Sequence, residues 1–134
     1  MLYDVTFRVK ADSGLAVVTV DAGLVTRAGL KAFARASIQQ VRKHDPAVLL
    51  ADYRAAVFFL TSCDFNALFS HEEPTKVLPA ALLVSEPYVE MFQAHSWAMA
   101  QAGIMRKVFT SEPMARRWCQ MRLSLCNHQA RTVP

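Results

Sequence analysis

Short apolar runs at residues 15–20, 47–51 and 77–84, and a short strand-like segment at 105–109, alternate along this chain with longer stretches whose apolar residues recur every three or four positions. A strand shows its apolar side chains at period two, or as an unbroken run when both faces are buried, whereas a helix shows them at period 3.6. Strands and helices therefore follow one another in turn. That order selects an α/β architecture in which crossover helices join neighbouring strands.

At the start, Tyr3, Val5, Phe7 and Val9 alternate with Asp4, Thr6, Arg8 and Lys10, the pattern of a strand with one wet face near a sheet edge. Asp12, Ser13 and Gly14 supply turn chemistry before the run at 15–20, so a hairpin opens the domain, and Asp21, Ala22 and Gly23 end it. Thr26 caps a helix carrying Leu30, Phe33, Ala34, Ser37, Ile38 and Val41 on one stripe, stopped by His44, Asp45 and Pro46. The run at 47–51 lies between Pro46 and Asp52 and reads as a strand buried on both faces. A shorter helix is predicted over 62–69, then a loop at His71, Glu72, Glu73 and Pro74, and a third buried run at 77–84.

Two later helices begin alike, with Ser85-Glu86-Pro87 and Ser111-Glu112-Pro113. In each the serine can cap, the glutamate suits the positive end of the helix dipole, and proline fits the first turn. Tyr88, Met91, Phe92, His95 and Met99 form the stripe of the first, which ends at Gly103; Met114, Trp118, Met121 and Leu125 form that of the second. The predicted order is β-β-α-β-α-β-α-β-α, a single domain over residues 1–125 followed by an aperiodic tail at 126–134.

With 134 residues, 53% of them hydrophobic and 19% charged, the chain suits one globular core and neither a disordered nor a fibrous protein. No apolar run approaches the roughly 18–20 residues of a membrane-crossing helix, so integral membrane association is not expected. Asp4, Arg8 and Lys10 interrupt the N-terminus where a signal peptide would be apolar, which points to the cytoplasm. Cys63, Cys119 and Cys126 lack the spacing of a disulfide framework or zinc site and read as free thiols. The net charge of +4 is uneven: residues 104–134 carry six basic side chains against Glu112 alone. Aromatic and basic residues do not interleave there as on a single-strand platform, so no nucleic acid is expected as a partner.

Chemical motifs are sparse. His44, His71, His95 and His128 are scattered, Glu72 and Glu73 are loop neighbours, and Cys126 with His128 has no orienting third group. No glycine-rich phosphate loop occurs. No catalytic residue, metal ligand or cofactor site is assigned. Aromatic and sulfur side chains are dense between 88 and 118, and Trp97 falls off its helix's apolar stripe, as a residue at an interface would. Tyr88, His95, Trp97, Arg106 and Lys107 are the candidates for an interface or pocket in this region.

The strand Val48-Leu49-Leu50-Ala51-Asp52, and Arg106-Lys107-Val108-Phe109-Thr110-Ser111-Glu112 running on to Ala115 and Trp118, resemble the STAS domains, especially their SpoIIAA-like bacterial relatives. The resemblance covers about residues 3–125. It implies a β/α superhelical layer with a mixed, mostly parallel sheet of about five strands, helices largely on one face, frequent self-association, and action by binding partners. In anti-sigma-factor antagonists the turn after the corresponding strand carries a serine phosphorylated by a partner kinase; that position falls at Ser62 or Thr61. Leu60 and Cys63 depart there from the acidic residue and glycine of the family's turn. The function expected is a non-enzymatic protein-interaction module with a regulatory role in bacteria, binding a protein partner and itself as a homodimer. The alternative is a carrier or sensor of a small apolar or anionic ligand, held between the aromatic helix at 87–102 and the basic closing unit.

Overall fold

The computed structural model describes residues 4–69 and 78–132. The loop at His71–Pro74, the start of the third run at Val77 and the side chain of His128 lie outside the described residues. Strand β1 (Asp4–Asp12) forms an antiparallel hairpin with β2 (Leu15–Thr26). Its turn places Ser13 and Gly14 at φ 53° and 89°, the pair of positive angles that a two-residue hairpin of matching twist requires.

The hairpin does not end at Asp21-Ala22-Gly23. Pairing shifts between Phe7↔Val20 and Thr6↔Ala22, leaving Asp21 as the extra residue of a bulge, and β2 then continues beside Val5 and Asp4. Gly23 makes this possible: its φ is +145°, and a Cβ there would stand 2.4 Å from the Asp4 carbonyl oxygen.

Helix α1 (Arg27–Arg42) begins where β2 stops, with Thr26 Oγ1 accepting the Gly29 amide at 3.2 Å. Strand β3 (Val48–Asp52) runs parallel to the first half of β2. A further strand, β4 (Ala56–Phe59), which the sequence did not predict, runs parallel to the second half. The offset of 33 residues is the same at Leu15↔Val48 and at Thr26↔Phe59, so β3 and β4 follow one edge of β2 without a slip, interrupted only by Tyr53, Arg54 and Ala55. Helix α2 (Ser62–Phe69), β5 (Ala80–Leu83), a 3-10 turn (Glu86–Tyr88), α3 (Val89–Gln101), β6 (Arg106–Phe109) and α4 (Glu112–Thr132) complete the described chain. Helix α4 thus runs on through residue 125 rather than stopping there.

The six strands form one mixed, mostly parallel α/β sheet in the order β1-β2-β3-β5-β6, with β4 also on β2. Successive residues of a strand face opposite ways. Ala51, Leu82 and Val84 point toward α1, α2 and α3, where Phe33, Phe65 and Phe92 fill the larger core. Val48, Leu50, Ala81 and Leu83 point the other way, onto Ala115, Trp118 and Cys119 of α4. Three of the four helices share a face, as predicted, but α4 crosses the middle of the face that the sequence leaves bare.

The phase of α4 also differs from the predicted stripe. Of Met114, Trp118, Met121 and Leu125 only Trp118 is buried, and the sheet-facing side is marked instead by the small residues Ala115 and Cys119. Burial pushes the Cys119 thiol up to about 11, so it stays protonated in the core. Gly103 closes α3 at φ +79°, the left-handed C-terminal position predicted for it.

Candidate functional site

Beyond the start of α4, the outer face of the sheet is open at one corner. Leu24 pairs with Val57 and Thr26 with Phe59 in the β2–β4 register, and Phe59 lies two residues from Val57 on the same face. These apolar side chains are exposed: Leu24 40%, Val57 52% and Phe59 74%. One exposed apolar side chain is ordinary; three contiguous ones at a sheet corner are less so. The backbone edge beside them is not free, because the Phe58 amide donates to the Tyr88 hydroxyl at 3.2 Å. Tyr88 therefore seals the edge of β4, with its ring edge-on to Phe58 at 5.2 Å.

The chain leaves this corner directly into α2. Thr61 Oγ1 accepts the Asp64 amide at 3.0 Å, so Thr61 is the capping residue and Ser62 stands free of that duty, exposed in the first turn. Cys63 is exposed as well. Asp64 faces Arg27 at the head of α1, 3.9 Å away.

On the opposite face the predicted candidates separate. His95 is wholly buried, packed edge-on to Phe65 at 5.3 Å. Burial, aided by the charge of Arg106, pushes it down to about 4, which keeps it neutral at pH 7. Arg106 is partly buried and donates to the carbonyls of Leu78 and Met105 at 2.6 and 3.2 Å, while the Ser96 hydroxyl donates to the Arg106 carbonyl. Desolvation lowers Arg106 from its ordinary value. Tyr53, which the sequence reading missed, belongs here: stacked on Phe92 at 5.6 Å, it is pushed up to about 12 by burial, partly offset by Arg106. Trp97, by contrast, is 70% exposed, as its place off the stripe predicted, and Lys107 sits on the other side of the sheet, 6.0 Å over the Phe109 ring.

An ionic cluster links the carboxyl end of β3 to the start of α4. Asp52 accepts Arg54 Nε at 3.0 Å and Nη2 at 2.8 Å; Arg54 Nη2 also reaches Glu112 at 2.7 Å, and Glu112 holds Arg116 Nε at 2.9 Å. Burial alone would raise Asp52, but its hydrogen bonds and charge pairing with Arg54 prevail and hold the carboxyl below its usual range. Glu112 is lowered by Arg116 first and Arg54 second. Ser85 does not cap its helix; its hydroxyl donates to the Arg54 carbonyl at 2.8 Å and steadies this turn. Among the described residues no three His, Cys, Asp or Glu side chains converge as a metal ion would need.

The groups with shifted acidity are thus a neutral buried histidine, a protonated buried tyrosine and thiol, the desolvated Arg106 and the paired charges around Arg54, while the accessible features are apolar side chains, hydroxyls and the Cys63 thiol. No protein-family model matches this chain, and no curated protein does. Among solved structures it is similar to an uncharacterized protein of the DUF3478 family with a SpoIIAA-like fold from Shewanella loihica PV-4. The two are 15% identical, with a TM-score of 0.47 over 89% of this chain and 96% of that one.

Proposed function

We propose that this chain is a non-enzymatic, cytoplasmic protein-interaction module that engages its partner through the β4–α2 corner. The observation that carries the reading is the contiguous exposure of Leu24, Val57 and Phe59 beside the first turn of α2. Full burial of such a side chain from water is worth about 1.5–3 kcal/mol, and a partner that covers these recovers the share their remaining exposure leaves, largest at Phe59. Ser62 stands beside this surface with its hydroxyl free of capping, and in this reading it is the residue whose charge state tunes the contact.

The carrier reading has less support. Tyr53 stacks on Phe92 and His95 packs on Phe65, all of them buried in the layer between α3 and the sheet, where a ligand would have to lie. Homodimerisation is also less needed than a bare sheet face would make it, since α4 covers the middle of that face.

The test places a photoreactive amino acid at position 59 and irradiates cells of the native host. A discrete adduct with another protein is expected, with its yield changed at least several-fold by Ser62→Asp while the unfolding midpoint stays put. Absence of any protein adduct at 59 would remove the corner as an interface, and an adduct insensitive to Ser62→Asp would remove Ser62 from the tuning role.

A further inference from the structure

Helix α4 is apolar on two sides. Ala115, Trp118 and Cys119 bury one side on the sheet, yet Met114, Met121 and Leu125 are left 44–59% exposed. At about 100° per residue these three fall within an arc of about 40°, spanning about 16 Å of helix. With Trp118 they are spaced four, three and four residues apart, the spacing of a seam along which a second helix packs nearly parallel.

Two contacts orient this flank. The Trp118 ring lies against Phe109 of β6, centroids 6.1 Å apart. On the other flank Glu112 binds Arg54, and the Leu123 side chain lies 3.3 Å from where a Gly14 Cβ would stand. The exposed stripe therefore overlooks β6, at the end of the sheet order, where Lys107 is exposed. Arg117 borders the stripe from the solvent side. The acid at the head of α4, Glu112, is already held by Arg54 and Arg116.

We propose that this flank of α4 docks an acidic amphipathic helix from a partner protein. It rests on the partner-binding reading but uses a different surface from the β4–α2 corner. An apolar seam bordered by Lys107 and Arg117 complements a helix whose apolar stripe is flanked by Asp and Glu. A second copy of this chain is disfavoured, because pairing the flank with itself sets cations against cations.

The test places a photoreactive amino acid at position 121 and, separately, at 125 in the full chain, irradiates host cells in parallel with the position-59 chain, and identifies the crosslinked segment by mass spectrometry. Expected is an adduct at 121 or 125 to an amphipathic helical segment with an excess of Asp and Glu. Its yield should fall about tenfold or more in Lys107→Glu/Arg117→Glu and be retained in Lys107→Arg/Arg117→Lys. Adducts to a second copy, to a neutral or basic segment, or of unchanged yield after charge reversal would overturn the proposal. So would adducts at 59 with none at 121 and 125, which would leave the corner reading standing; no adduct at any of the three positions would remove both.

Discussion

At the scale of single residues, Gly23 and Gly103 separate two costs that are often merged. Both have positive φ, but a Cβ at Gly23 would meet the Asp4 carbonyl oxygen and Val5 Cα, whereas one at Gly103 meets nothing within 4 Å. Gly103→Ala is expected to cost about 1–2 kcal/mol, the left-handed penalty alone. Gly23→Ala must in addition separate β1 from β2, and its unfolding midpoint in urea should fall by at least twice as much; equal losses would show that the close approach is not rigid. His95 supplies a second test. Its folded value near 4 lies below the 6.5 of an unhindered histidine, so between those values the unfolded chain binds the extra proton. The contribution is complete above about pH 6.5 and is lost as pH falls toward 4, on the order of 3 kcal/mol. Urea unfolding at pH 7.5 and pH 4 should show a markedly smaller acid loss in His95→Leu than in the parent, and equal losses would contradict this assignment.

At the scale of elements, α4 is held by apolar burial in its middle and by charge at its head. Trp118→Ala removes a buried ring from against Phe109 and is expected to cost about 3–5 kcal/mol. Glu112→Gln loosens ion pairs that are substantially exposed and should cost about 0.5–1 kcal/mol, a difference that shrinks in 1 M salt; a larger, salt-insensitive loss would mean the cluster is shielded from solvent. How far these elements could be read beforehand follows from their side chains. The Thr26 cap, the Ser13-Gly14 turn and the Gly103 terminus are local, and their residue types announce them. Strand β4 has four residues and becomes a strand only because β2 continues past the Asp21 bulge to pair with it, a long-range fact. The sheet-facing side of α4 escaped notice because Ala115 and Cys119 are small while the larger Met114 and Met121 point outward. Within the candidate site, exposure of Trp97 was legible from helical phase, whereas the corner depends on β4 and Tyr53 on tertiary packing.

At the scale of the whole molecule, the sheet is covered by three helices on one face and by α4 across the middle of the other, leaving apolar side chains exposed at the β4 corner and along one flank of α4. Both lie away from the buried His95 and Tyr53, which fits a domain whose interior stabilises and whose surface recognises. The central claim is that what this chain holds is another protein. Native mass spectrometry of the chain isolated from its own host, under gentle and then denaturing conditions, tests that claim most directly. The account predicts a complex of defined stoichiometry with a different polypeptide, lost in Phe59→Asp although that chain remains folded. A small molecule retained under gentle conditions and released on denaturation, with no second polypeptide, would contradict it.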